Sequence, residues 1–367
     1  MNSKILIAGI IAVMMCATFA VAPTDADDTG FDIVDETGTI YHFDGAAEHI
    51  VSVGYATTLT IVEAGGADKL VAVDKYSTYE QSGNELLKAV DAIDLGSFYG
   101  TSNHQNVIVT IVNLVETGEM SLDDPIILTS YPDNEALAAE LREAGFEKVL
   151  MWTTIDDYSQ LIDMVESVSI IAAGEIPESV TIMKDTYNRV VSGTADIPEE
   201  SRTKALYVWY YGGEFTVGNT GIMGSMLQAA NANNIGYDPT KDMRYGDANL
   251  IISLLEDNMD TVVFVSSSYF SGGNTLDDFY DDLFGGDRSI RAIEMGKEWN
   301  NWCPDSADGL MSMAQCLYPD IFGEYQTEPA EDTSDDGSDN TLIYAAIGIV
   351  IVIVVIAAVF LYMRRKP

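Results

Sequence analysis

Residues 49–74 read HIVSVGYATTLTIVEAGGADKLVAVD, and the order of apolar runs in this segment predicts the fold class. Its two ends are short apolar runs, and the segment between them, Thr57–Ala64, has helical spacing and is followed by two glycines. Parallel strands need a crossover connection, which is usually a helix, so this order predicts a parallel βαβ unit. The stretch therefore indicates an α/β fold.

The same rhythm continues along the chain. The strand candidates are His49–Val53, Leu70–Val73, Ile126–Thr129, Val149–Trp152, Leu206–Tyr210 and Val262–Ser266. Helical stretches follow the first, third and fifth of them, at Thr57–Ala64, Asn134–Ala144 and Met223–Ala230. Strands that alternate with helices favour sheets covered by helices.

The middle of the chain breaks this rhythm. Asp156–Ala173 and a stretch from Pro177 to about Val191 place apolar residues at helical spacing, with Pro177 at a favoured first-turn position. Because a second set of strands follows, we expect two Rossmann-like lobes, residues 31–165 and 200–325. One long rigid interlobe helix, residues 166–194, is expected to join them.

The N-terminus predicts export from the cytoplasm. Ile5–Ala20 is an apolar run that follows Lys4 and ends in small residues. This is typical of a secretory signal peptide over residues 1–20, with cleavage after Ala20.

The C-terminus predicts a membrane anchor. Leu342–Tyr362 contains no charged residue and, as a helix, would be about 31 Å long, close to the ~30 Å hydrocarbon core of a bilayer. Arg364, Arg365 and Lys366 follow, and positive residues stay cytoplasmic, so the preceding domain is expected outside the cell. The acidic stretch before the anchor, residues 326–340, has no basic residue and is typical of an extended linker.

Charge and motifs exclude several classes of protein. The formal net charge of −40 excludes general nucleic-acid binding, which needs basic patches. The three histidines are too scattered for a histidine metal cluster, and no nucleophile elbow, phosphate-binding loop or paired-cysteine zinc spacing occurs. We therefore expect no catalytic residue, no resident metal and no cofactor. His104 lies in a polar run, residues 101–106, that reads as a loop and could face ligand.

Two cysteines follow the predicted signal peptide. Cys303 and Cys316 could pair in an oxidising exterior. Two cysteines alone do not establish a bridge, so both the disulfide and two separate thiols stay open.

The residues that follow the predicted strands are aromatic or small and polar, which favours a binding site. In open α/β sheets, ligands sit beyond the carboxyl ends of the strands, and aromatic rings supply stiff contact area. The candidate ligand-binding residues are Tyr55, Thr57, Lys75, Tyr76, Tyr99, Tyr131, Tyr211, Arg244, Tyr269 and Trp299. The chain has 19 tyrosines, so ordinary loop or interface aromatics are the alternative reading of each. Only Lys75 and Arg244 are cationic, which favours a neutral or weakly charged ligand.

Three segments carry a resemblance to a known family. Residues 31–38 (FDIVDETG) lead to 49–54 (HIVSVG), residues 64–74 read AGGADKLVAVD, and residues 309–322 read GLMSMAQCLYPDIF. In this order they resemble the solute-binding proteins of ABC importers for iron-siderophores, haem and vitamin B12, whose two α/β lobes are joined by one long helix. The resemblance covers most of residues 31–322.

The resemblance implies capture of a metal chelate or corrinoid, which itself contains iron or cobalt, and delivery to a permease and its ATPase. Family members usually dock on the permease through one glutamate per lobe. The matching positions here hold Ile108 and Ile251, with Glu116 and Glu256 as the nearest substitutes. This departure leaves a second function open, a surface receptor or adhesion module that keeps the fold without transport.

Overall fold

The computed structural model describes residues 30–129, 134–296 and 299–326. The predicted signal peptide, the membrane anchor, nearly all of the acidic linker and Tyr131 lie outside these ranges. Within them, no helix combines the length and the apolar character needed to cross a bilayer.

The N-terminal lobe contains a small hairpin and a five-stranded parallel sheet. Its strands are β1 (Phe31–Val34), β2 (Ile40–Phe43), β3 (Ile50–Val53), β4 (Leu70–Val73), β5 (Ile93–Asp94), β6 (Ile126–Thr129) and β7 (Val149–Trp152). β1 and β2 form the antiparallel hairpin, and the sheet has the order β5-β4-β3-β6-β7. This open parallel order requires helical crossovers on both faces.

Helices cover both faces of that sheet. They are α1 (Tyr55–Glu63), α2 (Tyr79–Ser82), α3 (Thr101–Thr117) and α4 (Asn134–Glu143). The side chains of β3 alternate between the faces: Ile50 joins the cluster that contains α1, whereas Val51 and Val53 join the cluster that contains α3 and α4. Burial on both faces explains why the strands are continuous apolar runs rather than alternating ones.

The C-terminal lobe has a mixed sheet. Its strands are β8 (Lys204–Tyr211), β9 (Glu214–Gly218), β10 (Asn233–Asn234), β11 (Arg244–Tyr245), β12 (Val262–Val265) and β13 (Arg291–Glu294). The order is β11-β9-β8-β12-β13, and β10 pairs with the start of β8. β8 and β9 form an antiparallel hairpin whose Gly212 and Gly213 both have positive φ, so the glycines make a turn between strands, not a turn into a helix.

Two helices, rather than one, connect the lobes. They are α5 (Tyr158–Ala173) and α6 (Glu178–Thr194), so the prediction of a single helix over residues 166–194 is wrong. Gly174 ends α5 in the left-handed conformation, with φ of 77°, and its N–H donates to the Ile170 carbonyl. Such a glycine terminates a helix, and Pro177 then precedes the first residue of α6.

The remaining helices complete the C-terminal lobe. They are α7 (Gly221–Ala229), α8 (Ala248–Glu256), α9 (Ser267–Phe270), α10 (Leu276–Phe284), α11 (Ser306–Leu317) and α12 (Pro319–Phe322). α7 and α11 pack against the connector helices, whereas α8 and α10 cover the opposite face of the sheet.

One hydrophobic cluster runs through both lobes. It contains Ile50 and Ile127 of the first sheet, Tyr207 and Phe264 of the second sheet, and residues of α5 and α6 between them. A close-packed cluster of this kind resists relative movement of its parts. The structure therefore agrees with a stiff connection between the lobes.

Candidate functional site

One buried cluster joins segments that follow strands in the two lobes. Leu59 of α1 and Leu87, which follow strands of the first lobe, form one buried cluster with Cys303, which follows β13 of the second lobe. This contact places the loops after β3, β4 and β13 next to one another. The segments after β3 and β4 of the first lobe therefore contact the segment after β13 of the second lobe.

Asp74 organises the edge in the N-terminal lobe. Its buried carboxylate accepts hydrogen bonds from the backbone N–H of Gly54 (2.9 Å), the backbone N–H of Tyr76 (2.8 Å) and the hydroxyl of Ser77 (2.5 Å). Burial raises the pKa of Asp74, and these three bonds act in the opposite direction. The carboxylate thus joins the loops that follow β3 and β4.

Three predicted site residues come together beside Asp74. The Lys75 Nζ atom lies 4.8 Å from the centre of the Tyr76 ring, and the Tyr76 and Tyr99 rings are 5.1 Å apart. Phe98, which is buried, stacks at 4.3 Å on Tyr99, which is 39% exposed. We call Lys75, Tyr76 and Tyr99 the N-lobe aromatic group; it offers one cation and two phenol rings to a ligand.

Two other predicted residues of this lobe do not face an open site. Thr57 has no exposed surface, and its hydroxyl hydrogen-bonds that of Thr129, so its proposed role in ligand contact is wrong. The reason is its position on the helix: Thr57 lies on the side of α1 that packs on the sheet. Tyr55 is half-buried against the cluster of Leu59, and its hydroxyl accepts a hydrogen bond of 2.9 Å from the Asn84 amide.

The C-terminal lobe presents a second aromatic group on the β8–β9 hairpin. The Arg244 guanidinium lies 4.5 Å from the centre of the Tyr211 ring and 5.9 Å from that of Trp209. Tyr211 is 66% exposed, and Arg244 is also exposed. We call Arg244, Tyr211 and Trp209 the C-lobe aromatic group. Trp209 was not predicted, although its position two residues before Tyr211 on a strand places both side chains on the same face.

Tyr269 is a core residue rather than a ligand contact. It is 1% exposed, packs edge-on to Tyr210 at 5.0 Å, and donates a hydrogen bond of 2.7 Å to the Asp282 carboxylate. Burial and that carboxylate raise the pKa of Tyr269. Its position after β12 suggested the cleft, but the short helix α9 turns the side chain into the cluster of α8 and α10.

Trp299 and the two cysteines also pack against other parts of the protein. The rings of Trp299 and Tyr325 pack edge-on, with their centres 5.8 Å apart. Trp299 also packs so closely against Gly309 that a Cβ atom added to this glycine would lie 2.6 Å from the Cβ atom of Trp299. Cys303 and Cys316 are both buried as thiols in different hydrophobic clusters, so the structure does not contain the disulfide that the sequence allowed. Burial raises the pKa of Cys316 to about 11.

His104 lies in α3, not in a loop. The polar residues before it form the first turn of that helix, which begins after Gly100. The imidazole has no exposed surface, and its Nδ1 atom lies 3.7 Å from the Glu140 carboxylate. It therefore cannot contact a ligand in the cleft.

A cavity that the sequence did not predict lies along α7. Its volume is about 580 Å³, and none of the ten predicted ligand-binding residues lines it. In residues 30–129, 134–296 and 299–326, no group of three His, Cys, Asp or Glu side chains is arranged to hold a metal ion.

The fold is that of known periplasmic binding proteins. No protein-family model matches the chain, and no curated protein matches it by sequence. Among solved structures, Helicobacter pylori CeuE with nickel and histidine aligns with a TM-score of 0.59 at 10% identity, covering 80% of this chain and 90% of CeuE. Vibrio cholerae BtuF, a periplasmic vitamin B12 binding protein, aligns with 0.54 at 18% identity, covering 74% and 96%.

A third structure agrees with these two. RhuT from Roseiflexus, a periplasmic haem-binding protein, aligns with a TM-score of 0.51 at 16% identity and covers 74% of this chain and 98% of its own. Identities this low show the fold alone. The described part of the chain therefore has the fold of the periplasmic solute-binding proteins, and the resemblance drawn from its sequence is confirmed at that level.

Proposed function

We propose that the protein is the extracytoplasmic solute-binding component of an ABC importer and captures a metal-chelate compound between its lobes. The observation that carries the proposal is the pair of aromatic groups. Each lobe has, on a segment that follows or ends a strand, a cationic side chain over a tyrosine ring: Lys75 over the half-buried Tyr76, and Arg244 over the exposed Tyr211. The three solved structures, with the same fold, include a vitamin B12 binder and a haem binder.

The chemistry of these groups suits a bulky, partly planar ligand. Tyrosine and tryptophan rings bury large areas with few rotatable bonds, so little entropy is lost on binding. Lys75 and Arg244 together supply two positive charges, which is enough for peripheral carboxylates but few for a highly anionic ferric catecholate. Haem, a corrinoid and a weakly charged siderophore are the ligand classes that fit.

The proposal includes a membrane-tethered location. The signal peptide and the C-terminal anchor predicted from sequence would hold the lobes outside the cell, above a permease, with the acidic linker as tether. Such a protein works by differential affinity: the loaded form is presented to the permease, and the shared hydrophobic cluster of the two lobes favours modest closure.

The residues at the positions of the permease-docking glutamates bear on a second candidate function. Ile251, at the position of one family docking glutamate, is fully buried, and Ile108 packs partly buried against the sheet. Neither side chain offers a carboxylate. Glu116 and Glu256 are exposed on the same helices, and in the transport function they would replace the missing docking glutamates. A surface receptor or adhesion module without a permease is the second candidate, favoured by the buried Ile251.

A ligand screen tests the proposal. The purified full chain is titrated with haem, cyanocobalamin and a ferric siderophore, and binding is followed by tryptophan fluorescence and thermal unfolding. A ligand at a hundredfold excess over Kd adds about 2.7 kcal/mol to the free energy of unfolding. We expect at least one chelate to bind and Tyr211→Ala with Tyr76→Ala to weaken it. A response to a sugar or peptide, with none to any chelate, would contradict the ligand class.

A further inference from the structure

The cavity along α7 is built from the polar side of that helix. Gly221, Gly224, Ser225 and Gln228 line it at the i, i+3, i+4, i+7 spacing of one helical face. The opposite face carries the apolar residues of α7 and packs into the cluster shared by the lobes. Because glycine and serine are small, the polar face is recessed and forms the floor of the cavity.

Several side chains in the wall are occupied by the protein itself. The Asn219 amide donates to the carbonyls of Asp238 (2.8 Å), Lys241 (3.0 Å) and Asp242 (3.1 Å) and is fully buried. The Asn231 amide likewise donates to the Thr194 carbonyl at 2.8 Å. These bonds fix the wall, so the cavity is held open by rigid elements rather than by mobile side chains.

Other polar groups in the wall have their hydrogen-bonding capacity available. The side chains of Thr220, Gln228 and Asn233 line the cavity and hydrogen-bond no residue that the structure describes. The exposed ring of Tyr237 completes the wall on one side. Amide and hydroxyl groups next to an aromatic ring suit a small ligand with hydroxyl or amino substituents.

Arg202 is the unusual member of the lining. Its Nε atom is buried without a hydrogen-bond partner, and its guanidinium forms no ion pair with a described residue. The chain has 58 acidic and 18 basic residues, and cations elsewhere readily find carboxylates, such as Lys184 with Glu166 at 2.6 Å and Lys204 with Asp260 at 2.8 Å. A buried donor without a partner is costly unless a ligand supplies the acceptor.

We propose that this cavity is a second binding site, for a small monocarboxylate that also carries hydroxyl or amino groups. The planar carboxylate is the oxyanion that a guanidinium binds through two parallel hydrogen bonds, so it pairs with Arg202. Thr220, Gln228 and Asn233 take the substituents. Asp156 and Glu199 also line the cavity, and their negative charges disfavour a ligand with more than one carboxylate.

The site is independent of the cleft and goes beyond the proposed function. Asp156 precedes α5, and Glu199 and Arg202 follow α6, so the cavity draws its wall from both ends of the connector. No residue of the N-lobe or C-lobe aromatic group takes part. A failure of chelates to bind between the lobes would therefore leave this proposal intact, and a failure of carboxylates to bind in the α7 cavity would leave the proposed function intact.

Saturation-transfer NMR on the full chain tests the proposal with matched pairs of probes. The pairs are glucuronate and glucose, lactate and propane-1,2-diol, and alanine and alaninol, which differ in the carboxylate. We expect transfer to at least one carboxylate and at least tenfold weaker transfer-derived affinity for its counterpart without the carboxylate. Arg202→Gln should abolish the signal, and Arg189→Gln, an exposed arginine of α6, should leave it unchanged.

A second variant keeps the test decisive if Arg202→Gln folds poorly. Gln228 is exposed and lines the cavity, so Gln228→Trp can fill the cavity without entering the core. Circular dichroism checks that this variant is folded. It should remove binding of the carboxylate as well. The proposal is overturned if no carboxylate probe binds, if the counterparts without the carboxylate bind equally well, if Arg189→Gln weakens binding as much as Arg202→Gln, or if Gln228→Trp binds like the wild type.

Discussion

The hydroxyl groups of Tyr158 and Ser306 lie 2.8 Å apart, and both side chains are buried. Tyr158 is the first residue of the connector helix α5, and Ser306 is the first residue of α11 in the C-terminal lobe. Burial raises the pKa of Tyr158, so its hydroxyl stays protonated and the pair remains a neutral hydrogen bond. The bond therefore locks the start of the connector to the second lobe.

We predict that this pair stabilises the fold in a coupled way. Ser306→Ala leaves the Tyr158 hydroxyl buried without its partner, which should lower the free energy of unfolding by ~1–3 kcal/mol, and Tyr158→Phe should have a similar effect. The double variant should cost at least ~0.5 kcal/mol less than the sum of the two. Urea unfolding followed by tryptophan fluorescence measures all three. Strictly additive costs would show that the bond contributes no coupling.

The buried carboxylate of Asp74 gives a pH-dependent prediction. Its pKa in the folded protein is raised above its ordinary value of 3.8, so between those two values the folded state binds more protons than the unfolded state. Stability from this group is therefore present below pH 3.8 and is lost as the pH rises through the raised pKa. Asp74→Asn cannot titrate there. The advantage of the wild type over Asp74→Asn in unfolding free energy should thus shrink from pH 4 to pH 7.

Thermal and urea unfolding of both proteins across that range test this prediction. Asp68→Asn, which removes one exposed carboxylate from the same lobe, controls for the change in net charge. An advantage of the wild type that grew with pH would mean that hydrogen bonds from Gly54, Tyr76 and Ser77 outweigh the effect of burial.

Substitution by alanine should mainly lower stability at Tyr269 and mainly weaken ligand binding at Tyr211. Tyr269 is packed among aromatic rings, so Tyr269→Ala should lower the free energy of unfolding by ~3–5 kcal/mol. Tyr211 is 66% exposed, so Tyr211→Ala should change it by less than ~0.5 kcal/mol but weaken binding of the solute. Urea unfolding and a ligand titration separate the two roles. Similar stability losses in both variants would contradict the assignment of Tyr211 to the cleft.

The strands and the connector helices could be predicted from sequence because their signal is local. Leu70–Val73, Ile126–Thr129 and Val149–Trp152 are strands with the predicted bounds, since two-sided burial requires a continuous apolar run. The two helical stretches on either side of Gly174 and Pro177 are also visible in the sequence, and only their treatment as one continuous connector over residues 166–194 is wrong. The start of α3 was missed because Thr101, Ser102 and Asn103 are typical of loops as well as of first turns.

The site was predicted only in part because side-chain direction depends on tertiary packing. Tyr99 and Tyr211 are exposed and Tyr76 is half-buried, so all three keep some accessible surface, as position near the end of a strand suggests. Thr57 and Tyr269 also follow strands but turn inward, because each is the third residue of a helix, on the side of that helix that is buried. The α7 cavity was missed for another reason: Arg202 and Gln228 are far apart in sequence, and only the fold brings them together.

The stacking of Arg244 on the hairpin gives a prediction about ligand binding. Arg244→Gln removes the cation from Tyr211 and Trp209 and should weaken binding of the solute about tenfold, equivalent to ~1.4 kcal/mol. Arg288→Gln is a matched control, because Arg288 stacks at 5.6 Å on Tyr280 of the same lobe, away from the hairpin. Fluorescence titration measures both affinities. Equal losses in the two variants would mean that net charge, rather than the hairpin group, governs affinity.

The buried thiol of Cys316 gives a prediction about reactivity. With a pKa of about 11, only about one molecule in a thousand carries the reactive thiolate at pH 8, and burial excludes the reagent as well. Iodoacetamide should therefore leave Cys316 unmodified in the folded protein. After unfolding in urea without a reductant, both Cys316 and Cys303 should be alkylated, because the structure holds each as a thiol. Peptide mass spectrometry reads both positions, and a Cys303–Cys316 cross-linked peptide would instead establish the disulfide that the sequence left open.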